Sequence, residues 1–343
     1  YNDDDRNLTV SGFAETEQLI NSGSASYTRA PELSISKNLK GMNNRNIDLS
    51  LVSTKFEHKS SDNNTTGLRT HAQIKLERLI STNAYSLTPS LNLSTTDYSL
   101  DNSADQNRSI YSFEVDSKLL LEREVSIFST DLVQTLTPRL FYSYAPKKNQ
   151  SALPSFDSTD KDGSYESLFS GRKFTGIDRI SNANNFTFGL ESDFINEETS
   201  DTYLSLKTAQ KFYLDDQDMN SDGILVTRRK YSDIATSIDL SLNDFTFNNS
   251  LQYDPEANKI NKRDSTMTYQ PNPRKFLTLG HHDDGKTESA EFSGAYPITQ
   301  KIHIFGGVNR SLTDSITNKK NTGIAYESCC WALRVEYLKK HID

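Results

Sequence analysis

The sequence predicts an all-β protein, a transmembrane antiparallel β-barrel, and three observations carry this prediction. Only 34% of the 343 residues are hydrophobic, whereas a soluble domain carries about half apolar residues. Aromatic residues are nonetheless frequent, with 17 Phe and 16 Tyr, which argues against a disordered chain. Apolar and polar residues alternate along much of the chain, as strands with one lipid-facing and one wet face require.

Period-two alternation defines the individual strands. About 16 to 18 runs have the length that a tilted membrane crossing needs, about 9–11 residues. Helical periodicity is absent and no domain boundary is evident, so residues 1–343 are predicted to form a single barrel domain. The clearest apolar series, each interleaved with polar residues, are Ala72, Ile74 and Leu76; Leu87, Leu91 and Leu93; Phe113, Val115, Leu119 and Leu121; and Phe245, Phe247, Leu251 and Tyr253. For the third series we expect the apolar residues to face lipid and Glu114, Asp116, Lys118 and Glu122 to face the lumen.

One connection, from about residue 147 to 182, is much longer than the others. Loops of more than about 12–15 residues are usually functional or disordered, and long loops of outer-membrane barrels are extracellular. This one contains Phe156, Tyr165, Phe169 and Phe174, which are too many apolar groups for a flexible linker. We therefore expect it to be ordered and to fold into or over the barrel mouth.

The only two cysteines, Cys329 and Cys330, are adjacent. A bridge between them is disfavoured, because bridged Cα atoms are usually about 4.4–6.8 Å apart and consecutive ones only about 3.8 Å. Two interpretations are open: thiols that pair with cysteines outside this sequence, or small buried hydrophobes. The apolar face changes phase between Tyr326 and Trp331, which predicts a tight turn at 327–330. Such a turn would expose both thiols on the periplasmic rim, where short turns lie and the compartment is oxidising.

Five stretches of the chain resemble one known family in both sequence and order. They are Tyr27–Leu33, Gln134–Gln150, Leu153–Asp157, Leu168–Asn184 and Tyr326–Val335. The family they resemble is LptD, the outer-membrane lipopolysaccharide-assembly proteins also called organic solvent tolerance proteins. The similarity is to the C-terminal β-barrel portion of the family and extends from about Tyr27 to Tyr337.

The resemblance implies a function in lipopolysaccharide transport and insertion into the outer leaflet of the Gram-negative outer membrane. It implies an LptE-type lipoprotein plugging the lumen, a periplasmic transport bridge reached through an N-terminal periplasmic domain, and no cofactor or covalent step. It also implies that Cys329 and Cys330 form disulfides with that domain. We expect the domain and the closing strands of a larger barrel to be absent from this sequence.

Ten residues in the family-like stretches are candidate loop or lumen residues. Two interpretations are open for the charged ones: a salt-bridged network that holds the long loop in the polar lumen, or contact with a plug protein or an anionic glycolipid. We favour the network, because charges in a barrel lumen are generally paired. The ten are Pro138, Arg139, Pro154, Phe156, Asp157, Arg172, Gly176, Asp178, Arg179 and Asn184.

Other functional classes have less support in the sequence. No P-loop, dinucleotide fingerprint or nucleophile elbow is present, and no acid–base set suggests an enzyme. His281 and His282 beside Asp283 and Asp284 are assigned to a solvated turn and not to a metal site. The net charge of −8 argues against a nucleic-acid partner.

The alternative function is a diffusion porin or a nutrient receptor, whose barrel would show the same alternation. A porin would not need adjacent cysteines, and a nutrient receptor would carry an N-terminal plug domain. An autotransporter or adhesin would show turn-by-turn repeats, which this sequence lacks.

Overall fold

The computed structural model describes residues 2–3, 7–16, 26–59, 65–127 and 130–341. In these ranges the chain forms 22 strands and one helix of a single turn, α1 (Tyr165–Leu168). No described helix is long and apolar enough to span a membrane. The strands are β1 Asn2–Asp3, β2 Leu8–Phe13, β3 Tyr27–Gly41, β4 Arg45–His58, β5 Gly67–Arg78, β6 Ile80–Ser81, β7 Tyr85–Leu100, β8 Gln106–Leu119, β9 Leu121–Ile127, β10 Thr130–Ala145, β11 Ala183–Asn196, β12 Thr202–Tyr213, β13 Gln217–Met219, β14 Leu225–Thr227, β15 Ile234–Leu242, β16 Phe245–Asp254, β17 Lys259–Asn272, β18 Lys275–Asp283, β19 Glu288–Pro297, β20 Ile302–Ser311, β21 Thr317–Glu327 and β22 Ala332–Lys340.

Twenty of these strands form one sheet in which every pairing is antiparallel and joins neighbours along the chain, while β13 and β14 form a separate hairpin. β6 continues β5, and β9 continues β8, in an unchanged register with the next strand. With those two continuations and the two-residue β1 set aside, the sheet makes 17 crossings in the described part of the chain. The all-β antiparallel prediction and the predicted number of crossings are therefore confirmed.

The two faces of the sheet have the opposite polarity to those of a soluble protein. Apolar side chains on one face are open to the surroundings: Leu33 is 59% exposed, Phe188 51% and Phe292 49%. On the other face the most deeply buried side chains include Arg69 and Arg108, at 2% and 1% exposure. A sheet with an apolar outward face and a polar inward face suits a hydrocarbon exterior and a wet interior.

The series in β8 and β9 follows this rule as predicted. Phe113, Leu119 and Leu121 are exposed on the outward face. Asp116 lies on the inward face, where its carboxylate is 2.7 Å from the Arg139 guanidinium. The alternation in the sequence therefore assigned the faces of these strands correctly.

Connections at the two edges of the sheet differ in length. One edge, called here the turn edge, carries the short connections 42–44, 197–201, 243–244, 273–274, 298–301 and 328–331. The opposite edge, called the loop edge, carries 101–105, 146–182, 214–233, 255–258, 284–287 and 312–316. Both long connections of the described chain are on the loop edge, so the cysteine turn lies on the opposite edge from the long loop.

The assignment of His281 and His282 to a turn was wrong. Both belong to β18, which continues to Asp283. The following turn needs only residues 284–287, because the Asp284 carboxylate accepts the N–H groups of residues 286 and 287. The two rings then pair across strands on opposite faces: His281 Nε2 is 2.9 Å from Glu288, and His282 Nδ1 contacts Asp264. No group of three or more potential metal ligands occurs in the described ranges.

The polarity of the faces predicts unequal costs for a charge at neighbouring positions of β19. Phe292→Arg places a cation on the outward face in the middle of the strand, and we expect it to lower the free energy of unfolding by about 2–4 kcal/mol. Ser293→Arg, one residue along and on the inward face, should have almost no effect. Denaturant unfolding of the full-length protein in lipid vesicles measures both, and equal losses would contradict this orientation of the sheet.

Candidate functional site

Residues 146–182, called here the inserted segment, connect β10 to β11 and lie against the inward face of the sheet. Around α1, Tyr165, Leu168 and Phe169 pack on Phe141 of β10 in a cluster of buried apolar side chains. Thr187 of β11 donates a hydrogen bond of 2.8 Å to the Leu168 carbonyl. Burying a large apolar side chain contributes about 1.5–3 kcal/mol, so this cluster holds the middle of the segment to the wall.

Gly189 of β11 makes this close packing possible. A Cβ at position 189 would overlap the Phe169 ring and come within 3.3 Å of the Tyr165 hydroxyl. Any larger residue would therefore push α1 away from the sheet.

Two stretches of the inserted segment hold each other through a reciprocal pair of carboxylates. Asp178 is fully buried, and its Oδ2 accepts the N–H groups of Phe156 and Asp157 at 2.6 and 2.9 Å. In return, Asp157 Oδ1 accepts the N–H of Ile177 at 2.9 Å. Gly176 allows this approach, because its φ is +64° and a Cβ there would overlap the Asp157 backbone. The family-like stretches 153–157 and 168–184 thus form one unit.

Arg69 of β5 joins that unit to the sheet. One of its nitrogens, Nη1, lies 2.8 Å from both Asp157 Oδ2 and Asp178 Oδ1. Tyr98 of β7 adds a hydrogen bond of 3.0 Å from its hydroxyl to Asp178 Oδ1. Burial opposes the charged form of Asp157, but the Arg69 charge and the Ile177 N–H outweigh burial and hold its pKa below the ordinary value. Arg69, Asp157 and Asp178 are called here the clasp. Removing one partner of a buried ion pair costs about 3–5 kcal/mol, so the clasp attaches the segment firmly to the sheet.

Arg108 of β8 and Arg179 of the segment act on backbone carbonyls. The Arg108 guanidinium donates to the carbonyls of Ile177 and Asp178 at 2.7 and 2.6 Å. The Arg179 guanidinium donates to the carbonyls of residues 153 and 154, both at 2.9 Å. Each buried guanidinium therefore orients loop backbone that has no strand partner.

The charged candidates consequently divide into two groups. Asp157, Asp178 and Arg139 form ion pairs, the two carboxylates with Arg69 and the guanidinium with Asp116. Arg172 and Arg179 form no ion pair with a carboxylate of the described residues. Their guanidinium groups donate instead to backbone carbonyl oxygens, that of Arg172 to the Gly176 carbonyl. Arg139 also lies over the Phe169 ring, 3.9 Å from its centroid.

An aromatic contact fixes the tip of the segment. Phe156 stacks on Phe56 of β4 with 4.3 Å between ring centroids, and it meets Tyr27 of β3 edge-on at 5.0 Å. Arg69 lies over the other ring of this stack, 4.7 Å from the Phe56 centroid. The tip thus reaches the early family-like stretch that begins at Tyr27.

Residues 214–233, which contain the β13–β14 hairpin, form a second contact surface that the sequence analysis missed. Lys173 Nζ lies 2.9 Å from Asp218, Arg179 Nε donates to the Ser221 carbonyl at 3.0 Å, and Met219 is completely buried. The available signal was a gap of 20 residues in the alternation between β12 and β15. The gap indicates a long connection but not what it contacts.

The structure places the remaining candidates outside the clasp. Pro138 lies in β10 opposite the point where β8 ends and β9 begins; because proline has no N–H to donate, an interrupted ladder fits this position. Asn184, at the start of β11, accepts a hydrogen bond of 3.1 Å from Tyr142. Pro154, Phe156, Asp157, Gly176, Asp178 and Arg179 do come together, and Arg172 joins them through Gly176.

The cysteine pair lies in the turn between β21 and β22. The turn is closed by the Ser328 N–H, which donates to the Trp331 carbonyl at 2.9 Å, and this confirms the predicted turn. Both thiols are free and exposed, so the interpretation as buried hydrophobes was wrong. Their Sγ atoms are 3.1 Å apart, longer than a disulfide of about 2.05 Å. The hydrogen bond with Cys329 raises the pKa of the Cys330 thiol.

Comparison with known proteins gives a consistent set of relatives. The family model described as "LptD: LPS transport system D" matches residues 1–303. The LPS-assembly protein LptD of Ralstonia nicotianae is 29% identical over 330 residues, which cover 90% of this chain and 40% of the relative. That of Nitrosomonas europaea is 29% identical over 287 residues, covering 81% of this chain and 40% of the relative. The chain thus spans less than half the length of these relatives.

Among solved structures, the ferric-catecholate import receptor Fiu from E. coli K12 aligns with a TM-score of 0.34 and 11% sequence identity. The alignment covers 96% of this chain and 64% of the receptor. A likeness at this level carries no argument about fold or function.

The Arg69 clasp predicts how firmly the inserted segment is held. Arg69→Gln removes the charge shared by Asp157 and Asp178, and we expect a loss of about 3–5 kcal/mol in stability with new chymotrypsin cleavage near Phe156. Limited proteolysis of the full-length protein in outer membranes detects the cleavage. Lys55→Gln, which removes an exposed pair with Asp101, serves as the control and should leave the segment uncut. Cleavage of the wild-type segment at the rate of the Arg69 variant would contradict an ordered, attached segment.

Proposed function

This chain belongs to the LptD family, and from that premise we propose that it is the barrel part of a translocon that inserts lipopolysaccharide into the outer leaflet. The outward apolar face of the sheet and the family agree on the outer membrane as its location. The polar inward face and the segment that covers it are the parts that would handle the transported molecule.

The physical problem that such a barrel solves is the opposite character of the two ends of the glycolipid. An anionic sugar head is costly to place in hydrocarbon, whereas the acyl chains are costly to expose to water. A polar lumen can accept the head while an opening between weakly paired strands lets the chains enter the bilayer. Binding, orientation and passage are sufficient, and no covalent step is needed.

One observation carries the proposal: the family-like stretches 153–157 and 168–184 are the ones that cover the polar inward face. They attach to β5, β7 and β8 through the clasp and to β3 and β4 through Phe156. We propose that the inserted segment faces the extracellular side, because long loops of outer-membrane barrels do so. There it would close the lumen between transport events.

The partners in this proposal are an LptE-type lipoprotein plug in the lumen and a periplasmic bridge that delivers the glycolipid through an N-terminal domain. With the inserted segment outside, the turn edge and Cys329–Cys330 face the periplasm. Exposure of both thiols supports disulfides to that domain, since a thiol must be accessible for exchange. Two tethers would hold the domain in line with the lumen.

The alternative, a diffusion porin or nutrient receptor, loses support. The curated relatives carry the name LPS-assembly protein. An inward face covered by a packed, hydrogen-bonded segment also differs from the open aqueous channel that a porin needs.

The deciding experiment is depletion of the full-length protein in its host. We expect surface lipopolysaccharide, measured by antibody binding to intact cells, to fall, and large antibiotics to enter. A copy in trans should restore both. Unchanged surface lipopolysaccharide together with a loss of small-solute uptake would indicate the porin function instead.

The cysteine pair predicts redundant tethering. Either Cys329→Ser or Cys330→Ser alone should be tolerated, because one disulfide remains and contributes about 2–4 kcal/mol. The double variant should fail to assemble with the lipoprotein. Non-reducing electrophoresis of the full-length protein reports the tethered form by its mobility. If the double variant assembled and kept the outer membrane tight to large antibiotics, the tether would be unnecessary.

A further inference from the structure

A polar cavity of about 230 Å³ lies between the inserted segment, β12 and the 214–233 connection. Six cationic side chains line it and only three carboxylates do so. The cations are Lys161, Arg172, Lys173, Lys211, Arg228 and Arg229, and the carboxylates are Asp160, Asp218 and Asp233.

Three of the cations, Lys173, Arg228 and Arg229, form ion pairs with these carboxylates. Lys173 pairs with Asp218 at 2.9 Å and lies 3.9 Å from Asp160, and Arg229 pairs with Asp233 at 2.8 Å. Arg228 lies 3.6 Å from Asp218 and so shares that carboxylate. The cavity therefore has no lining carboxylate left for its other cations.

Lys161, Arg172 and Lys211 have no described carboxylate within 4.0 Å of their cationic nitrogens. Lys211 is only 8% exposed. Glu114 of β8 acts on all three cations and is itself hydrogen-bonded to the Gly171 N–H, while Asp157 also acts on Arg172 and Asp162 on Lys161. None of these carboxylates forms an ion pair with the three buried or half-buried cations, and Asp157 is already paired with Arg69.

These cations also have spare hydrogen-bond donors. Lys161 Nζ donates to Ser170 Oγ at 2.7 Å and Lys211 Nζ donates to the Ser170 carbonyl at 2.9 Å, while an ammonium has three donors. Arg172 Nε and Arg228 Nη2 are buried without a partner among the described residues. Burial and the neighbouring Arg172 charge lower the pKa of Lys161. An anion in the cavity would satisfy the free donors and relieve the repulsion.

We propose that this cavity binds a phosphate group, held by Lys161, Arg172 and Lys211. A tetrahedral oxyanion presents oxygens in several directions and carries up to two charges, which suits donors that converge from both the segment and the wall. With about 30 Å³ for each water in the liquid, the cavity has room for a phosphate and several waters. The ligand is thus free phosphate or a phosphate that projects from a larger headgroup.

The second of these ligands, a phosphate on a larger headgroup, would extend the proposed function, and this part of the inference rests on that function. If the transported glycolipid carries a phosphorylated sugar, its phosphate would bridge the inserted segment to Lys211 of β12. The segment would then respond to the passing headgroup, because both sides of the cavity hold the same anion.

The test uses the purified full-length protein with its lipoprotein partner, melted in inorganic phosphate or in chloride of equal ionic strength. Phosphate should raise the melting midpoint of the wild type. Lys211→Met should abolish this rise, and in chloride it should melt no lower than the wild type, because it removes an uncompensated buried charge. Lys211→Arg should keep the response. The matched control is Lys207→Met, on the same strand and face but paired with Glu191, which should also keep it.

Titration with glycolipid micelles separates the two sources. If the phosphorylated glycolipid competes with inorganic phosphate for the cavity and its dephosphorylated form does not, the site binds the headgroup phosphate. If neither form competes with inorganic phosphate, the site binds free phosphate. No difference between phosphate and chloride, or an unchanged phosphate response in Lys211→Met, would overturn the site. Surface lipopolysaccharide in cells is measured separately: loss of phosphate binding with undiminished delivery would keep the site but overturn its link to transport.

Discussion

Burial of the Asp157 and Asp178 carboxylates against Arg69 is the interaction on which the covered inward face depends. Two carboxylates this close repel each other, and both are removed from most of the water. They are stable there because a guanidinium lies between them and each accepts N–H groups from the other's stretch. The clasp thereby fixes the backbone at Phe156, whose ring stacks on Phe56.

A hydrocarbon exterior and a wet interior explain why the apolar groups of this protein lie outside the sheet and its buried charges inside. A segment packed in a soluble protein would rely on apolar contacts, and here such contacts are concentrated around α1 and at Phe156. Elsewhere the attachment is by guanidinium groups that bind carboxylates and carbonyl oxygens, from Arg69 and Arg108 in the wall and Arg179 in the segment. Polar attachment of this kind holds a loop in a wet interior where the hydrophobic effect alone would be weaker, and it can be exchanged for contacts with a polar ligand.

Charges on the inward face therefore have two uses, which can be told apart by their partners. Where a cation meets a carboxylate or several carbonyls, as at Arg69 and Arg179, it holds the backbone in place. Where cations gather with few acids, as at Lys161 and Lys211, the structure leaves donors that an added anion can use. Both sets are bound to the same segment, so a ligand at one set would act on the position of the other.

The sequence by itself determined the properties that depend on neighbouring residues. Alternation identified the strands and their faces, and the change of phase before Trp331 located the cysteine turn, because side-chain direction in a strand follows from a period of two. It could not pair Arg69 with Asp178, which lie 109 residues apart, or find the hairpin that meets the inserted segment. It misplaced His282, whose partner Asp264 lies on the preceding strand. Those contacts depend on which strands and loops the whole sheet brings together, so only the tertiary structure decided them.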